Sequence, residues 1–106
     1  MTRIEMKGGI SAEPYPAGVG DEINIVYSGL LSQQGADKVF LHVGYGDKWA
    51  DTKDYEMIHT DRGWEANIKV HRGGRLNFCF KDRANNWDNN QGHNWSYQVD
   101  PYRFKY

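Results

Sequence analysis

Apolar residues in this chain recur at every second position, and that period confines it to β structure. Ile23, Ile25 and Tyr27 alternate with Asn24, Val26 and Ser28. Val39, Leu41 and Val43 alternate with Phe40 and His42, and Trp64, Ala66, Ile68 and Val70 with Glu65, Asn67, Lys69 and His71. Leu76, Phe78 and Phe80 form a further run, as do Trp95, Tyr97 and Val99; a shorter one joins Tyr55, Met57 and His59. No window of a dozen residues keeps a helical i, i+3, i+4, i+7 pattern, and 12 Gly with 3 Pro interrupt any attempt. Turn-formers separate the runs: Ser32-Gln33-Gln34-Gly35, Thr60-Asp61-Arg62-Gly63 and His71-Arg72-Gly73-Gly74. Short strands at regular spacing over about 100 residues predict an all-β fold, an antiparallel β-sandwich filling residues 1–106 as one domain. The stretch before Ile23, with Gly8-Gly9 and Pro14/Pro16, reads as irregular edge strand.

Charge removes several functions. Lys+Arg number 13 against Asp+Glu 14, a net charge of -1, whereas neutralising a phosphate backbone requires a basic excess. The longest apolar stretch, Val39-Phe40-Leu41-His42-Val43, is far short of the roughly 18 residues of a membrane span. Nucleic acid and membrane are therefore not expected partners. Residues Met1 to Ile10 lack the apolar core of a secretory signal. The chain is expected to be cytoplasmic or a module excised from a longer, secreted enzyme. A single cysteine, Cys79, leaves no internal disulfide and no all-cysteine metal site. Asp88, Asn90 and Gly92 imitate the start of a calcium loop, but His93 stands where that loop needs Gly and Val99 where it needs Glu. No metal or other cofactor is expected. Asp47 and Asp88 are the conceivable glycosidase pair, yet nothing in the sequence buries either to raise its pKa, so the chain reads as non-catalytic.

The aromatics are out of proportion: 14% of residues in a chain of mean hydropathy -0.83. Trp64 and Trp95 fall in register with aliphatic neighbours and read as core. Trp49 and Trp87 sit instead in polar loops, Gly44-Tyr45-Gly46-Asp47-Lys48-Trp49-Ala50-Asp51 and residues 82–94, where an exposed indole needs a reason. The inward phase of Val39, Leu41 and Val43 turns His42 to the outer surface, just before the first loop. A sugar ring suits such a surface, because an aromatic covers its C–H face while amides bind its hydroxyl edge. Asp88, Asn89, Asn90 and Asn94 cluster around Trp87. Two other classes use exposed aromatics: a single-stranded nucleic-acid module drawing on Arg72, Arg75, Lys81 and Arg83, and a protein-interaction module anchored on the two tryptophans. High salt separates the first from sugar stacking.

Three blocks resemble the starch-binding carbohydrate-binding modules of families 25 and 53. They are Gly20-Asp21-Glu22-Ile23-Asn24-Ile25-Val26-Tyr27, then Val39-Phe40-Leu41-His42-Val43-Gly44-Tyr45 with Trp49, and Asn86-Trp87-Asp88-Asn89-Asn90 through Gly92 and Asn94. The resemblance implies an immunoglobulin-like sandwich that binds α-1,4-glucans such as starch, glycogen or maltooligosaccharides. It implies a platform of His42, Trp49 and Trp87, with Asn90 and Asn94 as hydrogen-bonding partners. Gly44 lengthens the family's His-Tyr-Gly step, and Tyr45 is the remaining candidate contact. It also implies a catalytic domain in a parent protein as partner. The tail Asp100-Pro101-Tyr102-Arg103-Phe104-Lys105-Tyr106 has no family counterpart and is expected to cover the face near Cys79 or to meet a partner.

Overall fold

The computed structural model describes residues 2–102. The strands are β1 (Thr2–Met6), β2 (Ile10–Tyr15), β3 (Glu22–Tyr27), β4 (Val39–Tyr45), β5 (Ala50–Glu56), β6 (Ile58–Thr60), β7 (Gly63–Lys69), β8 (Gly74–Asp82), β9 (Trp87–Asp88) and β10 (Trp95–Val99). A single turn of helix, α1 (Leu30–Gln33), follows β3 and takes in part of the first expected turn. Its Leu31 is buried.

One sheet runs β1-β2-β3-β7-β6 and the other β10-β8-β4-β5, with β9 against β8. All of these pairings are antiparallel. The chain changes sheet between β3 and β4, between β5 and β6, and between β7 and β8. That exchange sets β2-β3-β7-β6 opposite β5-β4-β8-β10, the strand order of immunoglobulin-like sandwiches. The alternation is what makes two layers possible, since it gives each strand one apolar face to bury. Ile23, Ile25, Tyr27, Ile68, Leu41, Val43, Phe78, Phe80 and Tyr97 are all at most 2% exposed and share one core with Trp64 and Trp95. Each such aliphatic or phenyl side chain contributes about 1.5–3 kcal/mol relative to an exposed one.

The run Tyr55, Met57, His59 divides between layers. β5 ends at Glu56 and β6 begins at Ile58, so Met57 is the buried crossing point, its N–H donating to the Val39 carbonyl at 2.9 Å. His59 is exposed and lies over Trp64, ring centres 4.6 Å apart. The tail begins beside the loop before β3: Asp100 pairs with Gly18, and its N–H reaches the Ala17 carbonyl at 2.9 Å. Residues 103–106 of that tail lie outside the described residues.

Both expected loops are more ordered than their composition suggests. Gly44 and Tyr45 belong to β4, and Ala50 and Asp51 to β5, so the first loop shrinks to residues 46–49. Within the second, Trp87 and Asp88 form β9 and pair with Lys81 and Phe80. One edge of β8 is thus shared by β10 and β9, and residues 89–94 project between them.

Candidate functional site

Register on the outer face of the second sheet assembles the site. His42 lies opposite Asp54 on β5 and opposite Cys79 on β8. One pair further along, Lys81 lies opposite Phe40 on one side and Trp87 on the other. A β-bulge decides the first of these pairings. Tyr45 faces Ala50, but Val43 faces Lys53, so two residues of β5 stand against Gly44 alone. Continued without the bulge, the hairpin would bring Lys53 beside His42 in place of Asp54. Asp51, in the bulge, has a positive φ of 54°.

Gly44 shares the outward phase of His42, and its missing side chain makes room for Trp49. A Cβ there would stand 2.7 Å from Trp49 Cε3 and 2.9 Å from Trp49 Cα. The Trp49 ring therefore lies against the strand next to the imidazole. Trp49 itself turns through φ 53°, its N–H donating to the Gly46 carbonyl at 3.1 Å. The Asn77 amide holds that same carbonyl at 2.8 Å, and Thr52 Oγ1 donates to the Trp49 carbonyl at 2.9 Å.

Three rings result. His42 and Trp49 are near-parallel, with centres 5.6 Å apart and planes 26° apart. His42 and Trp87 are 5.2 Å apart at 83°. Trp87 is 46% exposed and Trp49 half-buried. The arrangement is a trough with one wall of His42 and Trp49 and another of Trp87.

Charges beneath the rings are paired. Asp54 Oδ1 accepts from His42 Nδ1 at 2.5 Å, and Oδ2 lies 3.0 Å from Lys81 Nζ. That ammonium is 5.2 Å from the centre of the Trp87 ring, within cation–π range. Burial pushes the Asp54 carboxyl up, but the hydrogen bonds from His42 and Lys81 outweigh it and hold the group below its ordinary value. Cys79 is buried, and its thiol is pushed up to about 11 by burial and by the charges of Asp54 and Asp88. It stays a neutral thiol at physiological pH.

The asparagine-rich loop has structural work of its own. Asn90, Gln91 and Asn94 have φ of 56°, 56° and 58°, a conformation that asparagine tolerates better than most residues. Asn90 Nδ2 donates to the Asn94 carbonyl at 3.2 Å, which leaves its oxygen as the free end. Asn90 and Gln91 line a cleft of about 340 Å³ against Leu30, Gln33 and the Gly8-Gly9 turn. Asp88 ties the loop to the core: its Oδ2 accepts from the Tyr27 hydroxyl at 2.6 Å, and that hydroxyl accepts from the Leu31 N–H at 2.9 Å.

Of the sequence candidates, the fold gathers His42, Trp49 and Trp87 into one cluster and sets Asn90 and Asn94 in the loop that follows Trp87. Tyr45 goes elsewhere. It is 6% exposed within the core, and its hydroxyl accepts from the His71 N–H at 3.3 Å. Asp54 and Lys81 were not legible as members of the site, because both enter through long-range register.

Among proteins of known sequence, an α-amylase of Clostridium acetobutylicum is 32% identical over 78 residues, which cover 72% of this chain and 10% of the amylase. The chain thus spans about a tenth of the length of that curated relative. No solved structure matches it. The profile of the starch/carbohydrate-binding module family 53 matches residues 23–78, from β3 through the middle of β8, a span that includes the strand carrying His42 and the hairpin carrying Trp49. Matched over more than half its length and folded as a two-sheet sandwich, the chain belongs to carbohydrate-binding module family 53.

Proposed function

We propose that this chain binds α-1,4-glucans without cleaving them, on a platform of His42, Trp49 and Trp87. The observation that carries the reading is the three-ring trough with its half-exposed Trp87. Covering one glucose face removes on the order of 100 Å² of apolar area from water, worth about 2–3 kcal/mol. Two such walls, less the cost of ordering the sugar, correspond to dissociation constants of roughly micromolar to millimolar. Walls at 83° suit a chain that turns from one glucose to the next better than the flat ribbon of a β-1,4-glucan. Asn90 and Asn94, in the loop that follows Trp87, are the proposed hydrogen-bonding partners for hydroxyls at the platform's edge. Tyr45 supports the hairpin from within.

A non-catalytic role agrees with the carboxylates present. Asp54 is committed to His42 and Lys81 and held anionic, so it is not the protonated acid that glycoside cleavage needs, and Asp88 is engaged as acceptor of the Tyr27 hydroxyl. Residues 1–106 then form one binding module, which serves a catalytic domain in a longer protein by holding it on a polymer with many equivalent sites.

Tryptophan fluorescence titrated with maltoheptaose and with cellohexaose tests the reading; the α-linked sugar is expected to perturb the emission and the β-linked one not. Trp87→Ala is expected to weaken maltoheptaose binding about 30- to 150-fold. Its melting temperature should stay within about 4 °C of the wild type. Equal silence toward both sugars would remove the glucan assignment.

A further inference from the structure

We propose that Asp54 is the positioning residue of this platform: it fixes the His42 ring as the Nδ1–H tautomer, so that Nε2 faces the ligand as a hydrogen-bond acceptor, and it ties Lys81 across Trp87. The proposal rests on the glucan reading for its ligand, while its claim about the ring stands on geometry alone.

An ionised carboxylate only accepts, so the 2.5 Å contact to Asp54 Oδ1 requires the proton on His42 Nδ1. In a neutral imidazole the other nitrogen then carries the lone pair. Among the described residues Nε2 has no partner and is not sealed from solvent. A sugar hydroxyl donates readily to such a nitrogen. The ring therefore offers both a flat face and a hydrogen bond of defined sense.

The second oxygen makes the carboxylate a two-point tie. With Oδ1 on His42 and Oδ2 on Lys81, rotation of the carboxylate breaks one contact or the other. Lys81 stands opposite Trp87 in the β8–β9 ladder, and its ammonium lies over the indole. Through one carboxylate, both walls of the trough are held before a ligand arrives, and pre-ordered side chains lose less entropy on binding. The Asp54 and Lys81 charges also cancel locally, which suits an uncharged polymer. Two independent features of the backbone converge here: the bulge brings Asp54 and not Lys53 beside His42, and β9 brings Trp87 beside Lys81.

The test combines affinity with a direct view of the proton. In ¹⁵N-labelled wild-type protein at mildly alkaline pH, long-range ¹H–¹⁵N spectra of His42 are expected to show Nδ1 as the protonated nitrogen, against the Nε2–H preference of free imidazole side chains. Asp54→Ala should revert His42 to mainly Nε2–H and weaken maltoheptaose binding about tenfold, with the fold unchanged. Lys81→Met should keep the Nδ1–H tautomer and lose only severalfold in affinity, separating the two arms of the tie. A wild-type His42 in the Nε2–H form would overturn the proposal even if Asp54→Ala failed to fold. Asp54→Ala binding maltoheptaose within twofold of wild type would overturn it as well. If the wild type bound no maltoheptaose, the glucan reading would fall by itself, and the tautomer would still decide whether Asp54 sets the ring.

Discussion

The interior of the sandwich and the trough on its outer face are built from the same kinds of ring at similar spacing, yet they do different work. Inside, Tyr27 stacks on Phe80 at 4.0 Å, and Phe80 meets Trp95 edge-on at 5.4 Å. Outside, His42 meets Trp49 and Trp87 at 5.6 and 5.2 Å. Ring contacts alone do not distinguish the two. Exposure does: Trp95 is 6% exposed and Trp87 46%. A ring covered on both faces by the protein contributes its transfer free energy to folding. A ring with an open face still holds that free energy in reserve for a ligand.

Truncating an interior ring gives the largest expected effect. Trp95→Ala removes a side chain packed on Phe78 and Phe80, together with its Nε1 bond to the Lys7 carbonyl at 2.7 Å. The expected cost is about 3–5 kcal/mol of stability, read by urea unfolding. A variant that kept its stability and lost glucan binding would erase the distinction between the two regions.

Gly44→Ala probes the trough from beneath. The added methyl meets Trp49 at its ring, its Cβ and its backbone Cα, so the hairpin backbone must shift and carry the indole off the strand. Affinity for maltoheptaose is expected to fall by about 2–3 kcal/mol, the share of one stacked ring, and stability by about 1–3 kcal/mol as the hairpin moves. Isothermal titration beside a melting curve separates the two. A crystal structure with Trp49 unmoved would contradict the packing argument.

Tyr27→Phe acts where the regions join. Burial, and then its bond to Asp88, pushes the Tyr27 hydroxyl well above its ordinary value, so it remains a donor at any physiological pH. Removing it leaves the Leu31 N–H without a partner and frees Asp88, the neighbour of Trp87. The expected cost is about 1–2 kcal/mol of stability with a severalfold loss of affinity. Unchanged affinity would show that β9 is held by its ladder alone.

The layered fold and the His42 member of the trough were legible because both rest on a period of two, whereas Trp49 and Trp87 were singled out by their polar neighbours. Alternation along β4 placed His42 outward without any knowledge of its neighbours, and the same logic put Trp64 and Trp95 inside. The loops misled because Gly, Asp and Asn signal turns without saying how tight a turn is. Residues 46–49 close in four residues, and Trp87 lies in a strand too short to show periodicity. Asp54 was hidden for a sharper reason: whether it or Lys53 meets His42 depends on one bulged residue, and a single-residue slip exchanges the faces of a strand. The asparagines were read as ligand contacts, and two of them, Asn90 and Asn94, also have a backbone reason to be there, each at a positive φ.

The smallest predicted effect sharpens the comparison from the interior side, through pH. Tyr97 lies inside the sandwich, 1% exposed, its hydroxyl donating to the Pro14 carbonyl. Burial first, then the charges of Tyr15 and Asp21, pushes it up to about 12 from an ordinary 10.0. Between those values the unfolded chain gives up a proton that the native state keeps. The stabilisation linked to Tyr97 is therefore complete below about pH 10 and lost as pH rises through about 12. Tyr27 and Tyr45, also raised by burial, act in the same direction. Tyr97→Phe is expected to cost about 1 kcal/mol at neutral pH, the net worth of its hydrogen bond. It should also make the alkaline fall in stability shallower than in the wild type. Urea unfolding at neutral pH, near pH 10 and near pH 11 measures both quantities. Identical alkaline slopes in the two proteins would show that this hydroxyl is already open to water, and that the interior is less closed at its β2–β10 edge than at Tyr27.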